Sequence, residues 1–177
     1  MMIKDDATRY GLVSRVLHWA MAALFLWQFA GMILKSVIGK GPLMAFWVGS
    51  HASVGVTLLA LMMLRALWAL AQRAHRPPYH QGVIGTLGRL GHGGLYALMF
   101  VVPALALLRL LGSGKPVQLF GLPIRPETGE RVLWMMQPAN LLHGYLAWLL
   151  LIVIAGHVAM VFVHRFLWKD DILPRML

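Results

Sequence analysis

The sequence predicts an all-α integral-membrane protein, a four-helix bundle, and three observations carry that expectation. Of its 177 residues, 59% are hydrophobic and only 12% are charged, whereas a soluble domain is about half apolar and about a quarter charged. Four apolar runs follow one another, at about 16–34, 46–70, 90–111 and 141–166, each close to the ~20 residues that a spanning helix needs. None of the six Asp and Glu residues falls inside a run, in keeping with the cost of placing a charge in hydrocarbon. The length suits a single domain, 1–177.

The first run follows MMIKDDATRYGLVSR, which is polar for too long to be the charged leader of a signal peptide, so this span is expected to be retained. The second run contains Arg65, and the third ends near Arg109; both lie close enough to an interface to snorkel. Pro103 is expected to kink the third helix. The connection 112–138 contains FGLPIRPETGE, whose Gly and Pro punctuation points to an ordered external loop. Trp47, Trp134 and Trp168 fall near the expected interfaces, as in an aromatic belt.

Four spans place both termini on one side. That side holds Lys4, Arg9, Arg15, Arg73, Arg76, Arg89, Arg165, Lys169 and Arg175. The other holds Lys35, Lys40, Lys115, Arg125 and Arg131, with Arg109 near it. The excess of basic residues places the termini in the cytoplasm. Although the net charge is +10, its basic residues flank apolar spans and form no aromatic-interleaved arm, so nucleic acid is not the expected partner. The chain has no cysteine, which excludes disulfides, thiolate-bound iron–sulfur clusters and c-type haem attachment.

The histidines carry the chemistry. His143 and His157 are fourteen residues apart in the fourth run, so on a helix they share a face and stand roughly 21 Å apart along the axis. His164 continues that stripe one heptad further on. With cytoplasmic termini, His18 lies at the cytoplasmic end of the first helix and His51 at the external end of the second. The fourth helix enters from outside, which makes His143 external and His157 cytoplasmic. His51 can therefore meet His143, and His18 can meet His157. Two imidazoles from different helices at each of two depths suit two haems. Axial ligation on both faces closes the iron to oxygen and favours electron transfer. Small residues crowd these positions: Gly49, Ser50, Ala52, Ser53 and Gly55 near His51, Gly144 beside His143, and Gly156 beside His157.

His92, in LGHGGLY, has no depth-matched partner and is a candidate propionate or quinone contact, or a structural hydrogen bond. His164 is a candidate for binding a quinone head group or relaying a proton. His75 and His80 lie in the basic loop beside Pro77 and Pro78 and are expected to be solvated.

These motifs resemble the prokaryotic cytochrome b561 family, whose best-characterised kind is a superoxide oxidase. The likeness runs nearly end to end through TRYGLVSRVLHWAMA, HASVG, LMMLRALW, HGGLYALM with Pro103, FGLPI and LLHGYLA. Its most specific part is the tail GHVAMVFVHRFLWKDDILPRML. The resemblance implies a four-helix bundle with two b-type haems, its ligand positions falling on His18, His51, His143 and His157. It also implies a quinone pocket near the cytoplasmic haem, with His164 the leading candidate residue. The chain departs from many relatives at Arg165, where a second histidine is frequent, and at Ala69, where arginine is frequent.

The expected activity is electron transfer across the membrane between an external donor and a quinone, ubiquinone in the superoxide-oxidase version. Superoxide would be drawn to the external Lys35, Lys40, Lys115, Arg125 and Arg131. One rival is a haem b anchor subunit linking quinone to a dehydrogenase or hydrogenase, which would need a partner redox protein. Another is a transition-metal transporter, disfavoured because no span contains a carboxylate.

Overall fold

The computed structural model describes residues 2–170 and 172–177; Met1 and Asp171 lie outside them. Four helices form the protein: α1 (Leu12–Ile38), α2 (Pro42–Ala71), α3 (Gly82–Gly112) and α4 (Leu133–Phe162). Each is long and apolar enough to cross a membrane. The four-helix membrane bundle read from the sequence is the fold.

The helices outrun the apolar runs that announced them. α3 begins at Gly82, ahead of position 90, and α4 begins at Leu133, ahead of position 141, so that Pro138 lies inside a helix and not in the preceding loop. Hydropathy reports only the stretch that needs lipid, while backbone hydrogen bonding continues through the interfacial turns on either side. α2 opens with Pro42 in its first turn, where a missing N–H costs nothing. α3 continues through Pro103 without a break. All the described Asp and Glu residues lie outside the four helices.

The protein is apolar outside as well as inside. Leu26, Phe46, Leu67, Tyr145 and Leu167 are exposed, a surface that water would penalise and lipid accepts. α1 packs along α2, α2 along α3, and α3 along α4, whereas α4 stands off from both α1 and α2. Side chains alone bridge that separation at mid-height, where Phe25, Leu58, Met62, Leu95, Val102 and Leu150 form one cluster.

Both ends of the chain meet at one end of the bundle. The Tyr10 N–H donates to the Arg175 carbonyl at 3.0 Å, and the Trp19 indole donates to the Met176 carbonyl at 2.9 Å. Arg15 donates to the Leu177 carbonyl. The opposite end carries a small antiparallel hairpin, β1 (Val117–Leu119) and β2 (Leu122–Arg125). Phe120 and Gly121 form its two-residue turn with φ of 51° and 80°, the two left-handed residues that a type I′ turn requires. The FGLPI segment is thus ordered, as its punctuation suggested, and ordered as a hairpin.

Candidate functional site

α4 supplies two of the six singled-out histidines, α1, α2 and α3 supply one each, and His164 stands in the π-helical turn that follows α4. At the hairpin end, His51 on α2 faces His143 on α4, their ring centroids 6.2 Å apart and their planes at 79°. At the terminal end, His18 on α1 faces His157 on α4 at 6.3 Å and 68°. All four are half-buried. The pairs expected from topology are the pairs brought together, and both span the separations between helices that do not pack backbone to backbone.

The spacing tests what could lie between the rings. A first-row metal bound by imidazole nitrogens at about 2.0–2.1 Å, with each nitrogen about 1.1 Å from its ring centre, sets centroids about 6.2–6.4 Å apart. Both pairs meet that distance. His143 is also oriented for ligation: its Nδ1–H donates to the Val102 carbonyl at 3.1 Å. This leaves the Nε2 lone pair free, as in the outer-shell hydrogen bonds that commonly fix a ligating ring.

A second test concerns charge. Arg65 finds a partner on the neighbouring helix. Its Nε donates to the Tyr96 hydroxyl at 3.2 Å, and its guanidinium lies over that ring. Its Nη1 is buried without a hydrogen-bond partner in the protein. Arg65 is within electrostatic reach of both His18 and His157. A buried cation with an unused donor beside a histidine pair suits the propionate of a haem. At the other end, Arg125 on β2 also has buried donors without a partner, Nε and Nη2. Its hairpin is tied to α2 near His51, because the Phe120 N–H donates to Ser53 Oγ at 2.9 Å. Ring spacing, orientation and orphaned cations all fit a haem at each layer.

His92 has a neighbour that the sequence did not reveal. Its ring lies 5.2 Å from that of His157, too close for a shared iron, and its Nδ1–H donates to the Gly88 carbonyl at 2.7 Å. A structural hydrogen bond is therefore part of its role. His164 is buried and donates from Nδ1 to the Asp170 carboxylate at 3.0 Å. Its ring stacks near that of His80 and meets Trp168 edge-on.

His80 is exposed, as expected, and also places Nε2 3.0 Å from Asp170 Oδ2. Sequence spacing gave no sign of this pairing, because the two residues come from different connections. Asp170 could have been suspected from the Lys-Asp of the tail motif. Partial desolvation opposes charge on Asp170, but the hydrogen bond and charge of His164, with that of His80, hold its carboxyl below the usual carboxylate range.

Four spanning helices with histidines facing across their gaps in two layers form the architecture of a membrane electron-transfer protein. Comparison with known proteins makes the class specific. A family model described as prokaryotic cytochrome b561 matches residues 9–177, and the chain belongs to that family of membrane b-type cytochromes, whose cofactor is haem b. The chain is 30% identical over 185 residues to cytochrome b561 homolog 2 of Escherichia coli (strain K12), the match covering 100% of this chain and 95% of the relative. It is 26% identical over 174 residues to the probable superoxide oxidase CybB of Yersinia pestis, with 96% of each covered.

Proposed function

We propose that this chain is a single-domain dihaem cytochrome of the bacterial inner membrane, carrying electrons from an external one-electron donor to a quinone on the cytoplasmic side. The observation that carries this reading is the pair of histidine layers, His51 with His143 and His18 with His157, each spaced for an iron between its rings. When bound, the two haems supply one-electron carriage between the layers. The rest of the work falls to the protein.

His51 and His143 would hold the external group and His18 and His157 the cytoplasmic one, and iron held by two imidazoles would carry single electrons in preference to binding oxygen. Arg65 neutralises a propionate at the cytoplasmic layer. Between the layers, Leu150 and its neighbours exclude water and keep the low-dielectric barrier intact. Termini in the cytoplasm follow from the excess of basic residues at that end.

Outside, Arg125 and the neighbouring lysines attract a small anion. The name of the Yersinia relative makes superoxide the donor to test: two superoxide anions release two electrons and two molecules of oxygen. The quinone accepts two electrons and two protons from the cytoplasmic side. His164, buried and oriented by Asp170 through Nδ1, keeps Nε2 for a partner and is the residue we assign to the quinone head group.

The test is to purify the protein in detergent and measure haem per chain and its reduced-minus-oxidised spectrum. Superoxide and ubiquinone are then added in turn. Two haems reduced rapidly by superoxide and reoxidised by quinone support the proposal. One haem per chain, or haems that superoxide leaves oxidised, would overturn the corresponding part. Co-purification of a large redox partner would shift the reading to an anchor subunit.

A further inference from the structure

We propose that His80, His164 and Asp170 form a second metal site, for a divalent first-row transition ion such as Zn²⁺, at the end of the bundle that holds the termini. His80 comes from the connection between α2 and α3, and His164 and Asp170 from the π-helical turn after α4 and the residues just beyond it; the electron-transfer reading gives His80 no part. Their three donor atoms, one from each residue, all lie within 4.8 Å of one another. His80 Nε2 and His164 Nδ1 each stand 3.0 Å from Asp170 Oδ2. Metal–ligand bonds of about 2.0–2.1 Å at tetrahedral angles put donor atoms about 3.3 Å apart. The two nitrogen–carboxylate separations need to open by only a few tenths of an ångström to admit an ion, the imidazole nitrogens already lie within 4.8 Å of one another, and the ion displaces the protons now shared with the carboxylate. Two imidazoles and one carboxylate form a three-ligand set of the kind that binds Zn²⁺ with a fourth position open. Beside it lies a cavity of about 230 Å³ lined by His80, Ile84, Trp168 and Asp170, with room for a water ligand.

The backbone builds this site. α4 ends in a π-helical turn, Val163–Trp168, and Lys169 then adopts a left-handed conformation with φ 56°. That reversal lets the Asp170 N–H donate to the His164 carbonyl at 3.1 Å while its carboxylate faces the His164 ring. Single π-helical turns inside α-helices often mark functional positions. On the other side, a Cβ at Gly85 would fall on the His80 carbonyl, so glycine there allows the connection to press against α3 and present the imidazole. An ion in this position clips the connection between α2 and α3 to the end of α4. His164 ligates through Nδ1, the nitrogen that faces Asp170, which leaves its Nε2 for the quinone head group, so metal uptake and quinone reduction are read separately.

The experiment is calorimetric titration of Zn²⁺ into haem-loaded, detergent-purified protein without an oligohistidine tag. One Zn²⁺ per chain is expected, weakened tenfold or more in His80→Ala and in Asp170→Asn, with haem content and visible spectrum unchanged. His75→Ala, altering an exposed histidine outside the cluster, leaves the titration as it is. His80→Cys restores binding, because a thiolate is also a zinc ligand. Wild-type protein that takes up no Zn²⁺ saturably, or a His80→Ala titration that overlays the wild type, overturns the proposal.

Discussion

Arg65 is buried against Tyr96, with its guanidinium carbon 5.9 Å from the ring centroid and its Nε bonded to the phenol oxygen. The tyrosine uses one face of the guanidinium and leaves Nη1 without a partner. In the proposed function a propionate completes that set. Arg65→Leu should therefore weaken retention of the cytoplasmic haem and lower its midpoint potential, because a nearby positive charge favours the reduced state. A charge several ångströms away at an effective dielectric near 20 contributes about 1–2 kcal/mol, or roughly 40–90 mV for one electron. Redox titration followed in the haem absorption bands reads the shift, and Tyr96→Phe should give a smaller change in the same direction.

The two layers should also be separable by mutation. Because His51 and His143 share one layer and His18 and His157 the other, removing either partner disables the same centre. His51→Ala and His143→Ala should each reduce the content from two haems to one with matching residual spectra. His18→Ala and His157→Ala should leave the complementary spectrum. If His51→Ala and His157→Ala left the same spectrum, the pairing would be wrong.

The fold was legible because the lipid requirement writes itself into composition, and the histidine pairs because helix phase and alternating topology fix depth. His143 and His157 share a face by their spacing, and topology puts His51 at the depth of the first and His18, with His92 near it, at the depth of the second. What escaped was set by contacts between segments with no periodicity. His80 follows two prolines in a connection, and nothing in the sequence brings it to Asp170. The pairing of Arg65 with Tyr96 was likewise out of reach, because it depends on how α2 and α3 are rotated against each other. Helix ends were missed for a related reason, since interfacial turns no longer need apolar side chains.

Leu150 lies seven residues from both His143 and His157, and at 1% exposure it is the most buried large side chain between the layers. Leu150→Ala leaves a cavity where α1, α2 and α3 converge on α4. Such truncations cost about 2–5 kcal/mol when the surroundings cannot collapse. The standing-off of α4 from α1 and α2 makes collapse difficult here. A fall of several degrees in the thermal unfolding midpoint in detergent is expected, with both haems still bound before the transition. An unchanged midpoint would mean that the haems, not the apolar cluster, hold α4 in place.

At the terminal end, Asp5 organises the polar closure of the bundle. Its side chain is fully buried. Oδ1 accepts from the Gly11 N–H at 2.8 Å, while Oδ2 accepts from the Ser14 hydroxyl at 2.9 Å and from Arg76 Nε at 3.0 Å. Ser14 Oγ in turn accepts from the Trp68 indole at 3.1 Å. One carboxylate thus joins the N-terminal segment, the start of α1 and the connection after α2, and the indole extends the network to α2. Asp5→Ala removes the acceptor and leaves a buried N–H, a hydroxyl and a guanidinium without it. Breaking such a set costs about 2–4 kcal/mol, towards the lower figure because Arg76 retains some solvent contact. Asp5→Asn keeps the shape and part of the hydrogen bonding but loses the charge, and should recover about half of the loss. Hydrogen exchange supplies the check: amides of residues 9–15 and 72–76 should exchange faster in Asp5→Ala, while those around His51 and His143 at the opposite end stay as protected as in the wild type.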